Sequence, residues 1–176
     1  MTSRSSSPPA KHQRTDNASI TRSEIWHRDG SVVLQADDVQ FRVHWSVLAL
    51  HSSFFRDMQE LPQPSDQPSV DGCPIIELQD AVEDVKYLLE VLYDPTFLLE
   101  KVHTLPLVAA LIRLGRKYDF RKLLDAAVAW LTLENPTTLD EYDARLAHSG
   151  HRYAPKHLVN YPGIVFDVLA LAREKT

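Results

Sequence analysis

The chain has 176 residues, enough to bury one full core but too few for a second domain of ordinary size. Apolar residues make up 44% and charged residues 24%. These are near-globular averages that argue against a disordered chain, and no apolar run approaches the roughly 20 residues needed to span a bilayer. The net charge of −5 is unevenly spread: residues 1–22 hold Arg4, Lys11, Arg14 and Arg22 against Asp16, leaving −8 on the rest, and residues 57–94 hold ten Asp/Glu against Lys86 alone. Such a surface repels phosphate backbones, so no nucleic-acid partner is expected.

Taken in order, residues 1–22 are polar, with Pro8-Pro9 and five serines, and are expected to be a disordered tail. Neither an apolar leader segment nor a dense basic cluster is present in them, since Lys11-His12-Gln13-Arg14 is too sparse for a nuclear signal. Ser23 to His27 add a turn or short strand, with Trp26 the first bulky residue that can pack on a core. Val32–Ala36 and Val39–Val43 alternate apolar and polar residues and form a hairpin around Asp37-Asp38. At His44 to Ser46 the period lengthens, and Val47, Leu48, Leu50, Phe54, Phe55 and Met58 return at helical intervals over two short helices. Ser46 is the expected N-cap of the first, and Ser52 or Ser53 of the second.

Leu61 to Cys73, with Pro62, Pro64, Pro68 and Gly72, reads as an exposed loop, and Pro74–Leu78 as a β-branched strand. Asp80 with Glu83 forms a capping pattern before the stripe Val82, Val85, Leu88, Leu89, Leu92, which Asp94-Pro95 stops. Thr104 caps a helix lined by Leu107, Val108, Leu111, Ile112 and Gly115. Asp119 is the expected cap of the next, with Leu123, Leu124, Ala127, Val128 and Leu131 inward. Thr138 with Glu141 opens another helix, with Leu139, Tyr142 and Leu146 inward. His148 to Tyr161 is a loop, and Gly163 to Glu174 a helix apolar on more than one face.

Chemistry is sparse. His148, His151 and His157 share a loop but lack zinc-ligand spacing, so no metal or cofactor is expected. Neither a Gly-x-Ser-x-Gly elbow nor a phosphate loop occurs, and the lone cysteine, Cys73, has no evident partner; enzymatic activity is not expected. One cysteine also fits a reducing, intracellular compartment, cytoplasm or nucleus. His44, at the end of a strand, reads as a hydrogen-bonded structural side chain.

The order Phe41, Val43-His44, Val47-Leu48-Ala49, Ser52 and Phe55 resembles the BTB (POZ) family of protein-interaction domains, with Phe41, His44, Leu48, Ser52 and Phe55 as its structural motif. Arg28-Asp-Gly-Ser-Val-Val-Leu34 and Phe55-Arg-Asp-Met58 look most like fungal members, over about residues 26–133. The resemblance implies an α+β fold, a small three-stranded sheet packed on a cluster of five or six helices. Residues 23–134 would form the domain and residues 135–176 a C-terminal helical extension. It implies a non-enzymatic interaction module with a protein partner, self-association as a homodimer, or adaptor work for a cullin ubiquitin ligase. Many repressor members carry an acid and a base where this chain has Ser31 and Trp45, so their charged pocket is lost and Trp45 becomes a candidate contact. Trp26 and Trp45 are the candidate dimer anchors. Met58-Gln59-Glu60 has the form of the cullin-binding element but comes too early, at a helix end, so cullin binding is disfavoured.

Overall fold

The computed structural model describes residues 20–62, 67–134, 138–148 and 157–174. The expected tail up to residue 19, the Asn135-Pro136 stop and His151 lie outside the described residues.

The α+β class holds, but the sheet has five strands rather than three. They are β1 (Thr21–Trp26), β2 (Val32–Ala36), β3 (Val39–Val43), β4 (Ser69–Val70) and β5 (Cys73–Leu78), in the order β1-β3-β2-β5-β4. Residues β2 and β3 are the foreseen antiparallel hairpin, Val32 opposite Val43 and Ala36 opposite Val39, closed by Asp37 in the left-handed region at φ 47°. Val32, Val33, Leu34, Phe41 and Val43 are buried in it. Strand β5 joins β2 in parallel, Val33 opposite Ile75 and Ala36 opposite Leu78. The remaining two strands cover its edges; β1 overlaps the turn or short strand expected at Ser23 to His27, while β4 was not foreseen. Thr21–Trp26 run parallel to β3, which places Thr21 and Arg22, assigned above to the tail, in the sheet. Ser69-Val70 fold back on β5 across Asp71 and Gly72, both at positive φ as a two-residue hairpin turn demands. Both strands are short or polar, which blunts the sheet edges.

Seven α-helices are described: α1 (Trp45–His51), α2 (Ser53–Glu60), α3 (Val82–Tyr93), α4 (Leu105–Lys117), α5 (Arg121–Glu134), α6 (Leu139–His148) and α7 (Ile164–Arg173), with a 3-10 turn at Pro95–Leu99. Three caps stand as expected, the third being Thr138, whose Oγ1 accepts from the Glu141 N–H at 3.4 Å. Ser52 Oγ accepts from the Phe55 N–H at 3.1 Å, and Thr104 Oγ1 from the Leu107 N–H at 3.4 Å. Three do not, each because a tertiary partner replaces or claims the side chain. Helix α1 starts a residue before Ser46, where Ser31 Oγ takes the Trp45 N–H at 3.0 Å. The Asp80 carboxylate is held by Lys117 Nζ at 2.7 Å and the Tyr118 hydroxyl at 2.5 Å, and Ala81 becomes the N-cap of α3. Asp119, at φ 55°, pairs with Arg121 and Ser53, and the free carbonyl of Phe120 receives the first amides of α5, from Leu123 and Leu124.

The core lies between the sheet and the α3–α4–α5 layer, with Phe41, Phe55, Phe120, Leu34, Leu48, Leu89 and Leu111 fully buried. Helix α4 is buried on nearly every side, and at Gly115 a Cβ would come to 3.0 Å from that of Leu124 on α5, so a larger residue there would push the two helices apart by a few tenths of an ångström. Four side chains expected inside are outside: Leu50, Phe54, Val128 and Leu139 are exposed. The side chains of Tyr142 and Leu146 are outside the described residues.

Candidate interaction surface

The α1–α2 hairpin is fixed at its turn by two adjacent serines. Ser52, fully buried, caps α2 and also donates to the Tyr118 carbonyl at 2.5 Å; Ser53 donates to the Asp119 carboxylate. Asp119 is thereby held below the usual carboxylate range, first by the Ser53 hydroxyl and then by Arg121. Both serines thus bolt the start of α2 to the α4–α5 junction. Phe55, 1% exposed, sits among Phe54, Tyr118 and Phe120, with ring centroids 5.3, 5.4 and 5.9 Å away, distances at which aromatic pairs attract.

His44 joins the sheet to this hairpin. Its N–H donates to the Tyr93 hydroxyl oxygen at 2.8 Å, its Nδ1 lies 2.9 Å from the same oxygen, and its Nε2 lies 3.2 Å from Asp29 Oδ1. One tautomer satisfies all of this: the Tyr93 hydroxyl donates to Nδ1, and Nε2–H donates to the carboxylate. The bond to His44 lowers the Asp29 pKa, while burial first raises that of Tyr93. His27 stacks on Tyr93 at 4.2 Å and completes the cluster.

The four expected contact residues are not brought together on one exposed face. Trp45 is a correction: it is 7% exposed, with its indole N–H donating to the Phe55 carbonyl at 3.2 Å. Only its rim reaches a shallow recess of about 210 Å³ shared with Ser31, Gln59 and Pro74. Trp26 is half-buried on β1 under the guanidinium of Arg22, 4.5 Å from the ring centroid. Met58 is half-buried against the core, and Glu60 is exposed at the last position of α2.

Sequence reasoning missed two apolar side chains that the hairpin exposes, Leu50 and Phe54, while Leu61, just beyond α2, belongs to the stretch read as an exposed loop. Leu50 is 72% exposed, Leu61 63% and Phe54 39%. A signal for Leu50 was available: it lies two positions after the buried Leu48, about 200° around a helix of 3.6 residues per turn, and so on the opposite face. Around them the charge is nearly balanced, Arg56 against Asp57 and Glu60, in contrast to the acidic body. Arg56 donates from Nε and Nη2 to the Ala49 carbonyl at 3.2 and 3.1 Å, closing the end of α1.

Among the described residues no group of His, Cys, Asp and Glu could hold a metal ion, and no helix is long and apolar enough to cross a membrane. The family model for the BTB/POZ domain matches residues 29–132, more than half of the chain, and the chain belongs to the BTB/POZ family. Domains of this family are protein–protein interaction modules. No curated protein matches the chain.

Proposed function

We propose that the chain is a non-enzymatic interaction module that self-associates as a two-fold dimer through the outer side of its α1–α2 hairpin. The observation that supports this reading is the exposure of Leu50, Leu61 and Phe54 on a rigidly clamped hairpin where charge is locally balanced. Solvent-facing large apolar side chains on a preformed surface favour association, and an acidic chain meets its own copy with least repulsion where its charge is small. A two-fold contact places the same patch on both sides, so one apolar-to-charged substitution is felt twice. Trp26, half-buried under the Arg22 guanidinium, and Trp45, 7% exposed, offer less apolar surface for such a contact than Leu50 and Leu61.

The test is size-exclusion chromatography with light scattering on the parent chain and on Leu50→Asp. A dimer that Leu50→Asp converts to a monomer supports the reading. A parent monomer at tens of micromolar overturns self-association. Adaptor work for a cullin is a second reading, suggested by the form of Met58-Gln59-Glu60. It is disfavoured because Met58 is half-buried against the core, which leaves little of its apolar surface for a partner.

A further inference from the structure

Residues 157–174 form an arm fastened to the body at both ends. At the near end the His103 N–H donates to the His157 carbonyl at 2.7 Å and the Val159 N–H donates to the His103 carbonyl at 2.9 Å, a parallel bridge centred on buried Leu158. Glu134, fully buried at the end of α5, receives both the backbone N–H of His157 and its ring, with Nδ1 2.9 Å from Oε1. Helix α7 then packs on α4 with Ile164 and Leu171 buried, and at the far end Glu174 accepts from Arg113 Nε at 2.7 Å. His103 is itself 3% exposed. Its ring stacks on Trp130 of α5 at 3.8 Å, and its Nδ1 has no hydrogen-bond partner among the described residues.

A neutral imidazole fits this seat better than an imidazolium. Protonation makes both ring nitrogens donors, so Nδ1 would carry an N–H with no acceptor in a buried place. Burial is the first influence on the ring and lowers its pKa; the charge of His157 on the arm acts in the same direction, and Glu100, on the segment before it, opposes both. From α5, Trp130 offers its ring face and Glu134 is engaged by His157. We propose that His103 is a proton-operated latch on the arm: the protonated ring leaves its seat, the bridge to residues 157–159 parts with it, and residues 157–174 lift from α4 while the sheet and helices α1–α5 stay folded. Buried Leu158, Ile164 and Leu171 and the Arg113–Glu174 pair oppose the lifting, so acid enlarges a minor open population rather than releasing every molecule. A second proton on His157 changes the hold less, because its Nδ1–H donates to Glu134 in either charge state and its side chain is 38% exposed, where solvent screens charge.

The test is native-state hydrogen exchange of the full chain at about pH 7.5 and about pH 5.5, with rates corrected for the intrinsic effect of pH on amide exchange. A histidine that titrates at its ordinary value of about 6.5 only when the arm is lifted raises the open population about tenfold between these two conditions. Residues 158–173 are therefore expected to lose about tenfold in protection, to lose it together, and in acid to exchange ahead of α4. His103→Phe, which cannot titrate, is expected to erase this pH dependence, and His157→Gln to keep it. Arm protection that is equal in both conditions, arm amides that exchange no faster than those of α4, or a pH dependence that survives His103→Phe or vanishes in His157→Gln overturns the proposal. Should His103→Phe not fold, His103→Gln, uncharged in both conditions, takes its place.

Discussion

Ser52→Ala is the substitution that tests how the hairpin is clamped. The hydroxyl is fully buried and makes two bonds at once, accepting from the Phe55 N–H at 3.1 Å and donating to the Tyr118 carbonyl at 2.5 Å. Loss of a helix cap costs about 1 kcal/mol, and a buried carbonyl left without its donor costs about 1–3 kcal/mol more. The sum, about 2–4 kcal/mol, is large for the removal of one oxygen atom. It exceeds the effect expected at exposed Ser46, which lies in the neighbouring helix and makes Ser46→Ala the internal control, within about 0.5 kcal/mol of the parent. Urea denaturation followed by circular dichroism at neutral pH gives both differences. A Ser52→Ala midpoint matching that of Ser46→Ala would refute the argument that the serine joins α2 to the α4–α5 junction.

Phe55→Ala should cost about 3–5 kcal/mol, because the ring fills a site closed by Phe54, Tyr118 and Phe120, and calorimetry should record a fall in Tm of about 10 °C. Tyr93→Phe removes the acceptor of the His44 N–H and the donor to its Nδ1, and should cost about 1–3 kcal/mol in the same denaturation assay. Burial lowers the His103 pKa, so the unfolded chain takes up this proton first as pH falls. The contribution of His103 to stability is complete above its unfolded pKa of about 6.5 and is lost below it. His103→Phe, which keeps the 3.8 Å stack on Trp130, should therefore flatten the fall in stability between pH 7 and pH 5, in urea titrations at about half-unit intervals. Titration with a cullin N-terminal domain in a calorimeter should give no heat of binding at micromolar concentration. Submicromolar affinity abolished by Met58→Ala would promote the adaptor reading.

What the sequence made legible was what local periodicity controls. The alternation of Val39, Phe41 and Val43, the stripe Val85, Leu88, Leu89 and the caps Ser52 and Thr104 depend on residues within one turn or one hairpin, and each has its expected place. What stayed hidden depends on partners far along the chain. The turn or short strand expected at Ser23 to His27 begins earlier, at Thr21, only because β3 offers an edge, and Ser69-Val70, in a stretch read as loop, become a strand only because β5 does. Asp80 has a capping spacing, yet Lys117 and Tyr118, more than thirty-five residues on, claim its carboxylate. Trp45 looked like a surface residue because it follows a motif histidine; the Phe55 carbonyl that receives its indole N–H is brought near only by the helical hairpin. Glu134, charged and at a helix end, is fully buried, and His157, which read as a solvated loop residue, turns its Nδ1 to that carboxylate at 2.9 Å. Within the candidate surface, Leu50 was recoverable from its helical phase. Leu61 was read as part of an exposed loop, and Phe54 was not recoverable, since its exposure follows from how α2 seats on Tyr118.

The measurement that bears most directly on the proposed function is the mass of the chain in solution at tens of micromolar, by size-exclusion chromatography with light scattering. The chain is 20.0 kDa, so a two-fold dimer should elute at about 40 kDa, and Leu50→Asp should return it to the monomer mass with its far-UV circular dichroism spectrum unchanged. A stable dimer contact needs roughly 800 Å² from each partner, which the hairpin supplies only if Leu50, Phe54 and Leu61 are covered together. A parent mass of 20.0 kDa across that concentration range, or a dimer indifferent to Leu50→Asp, would contradict the account.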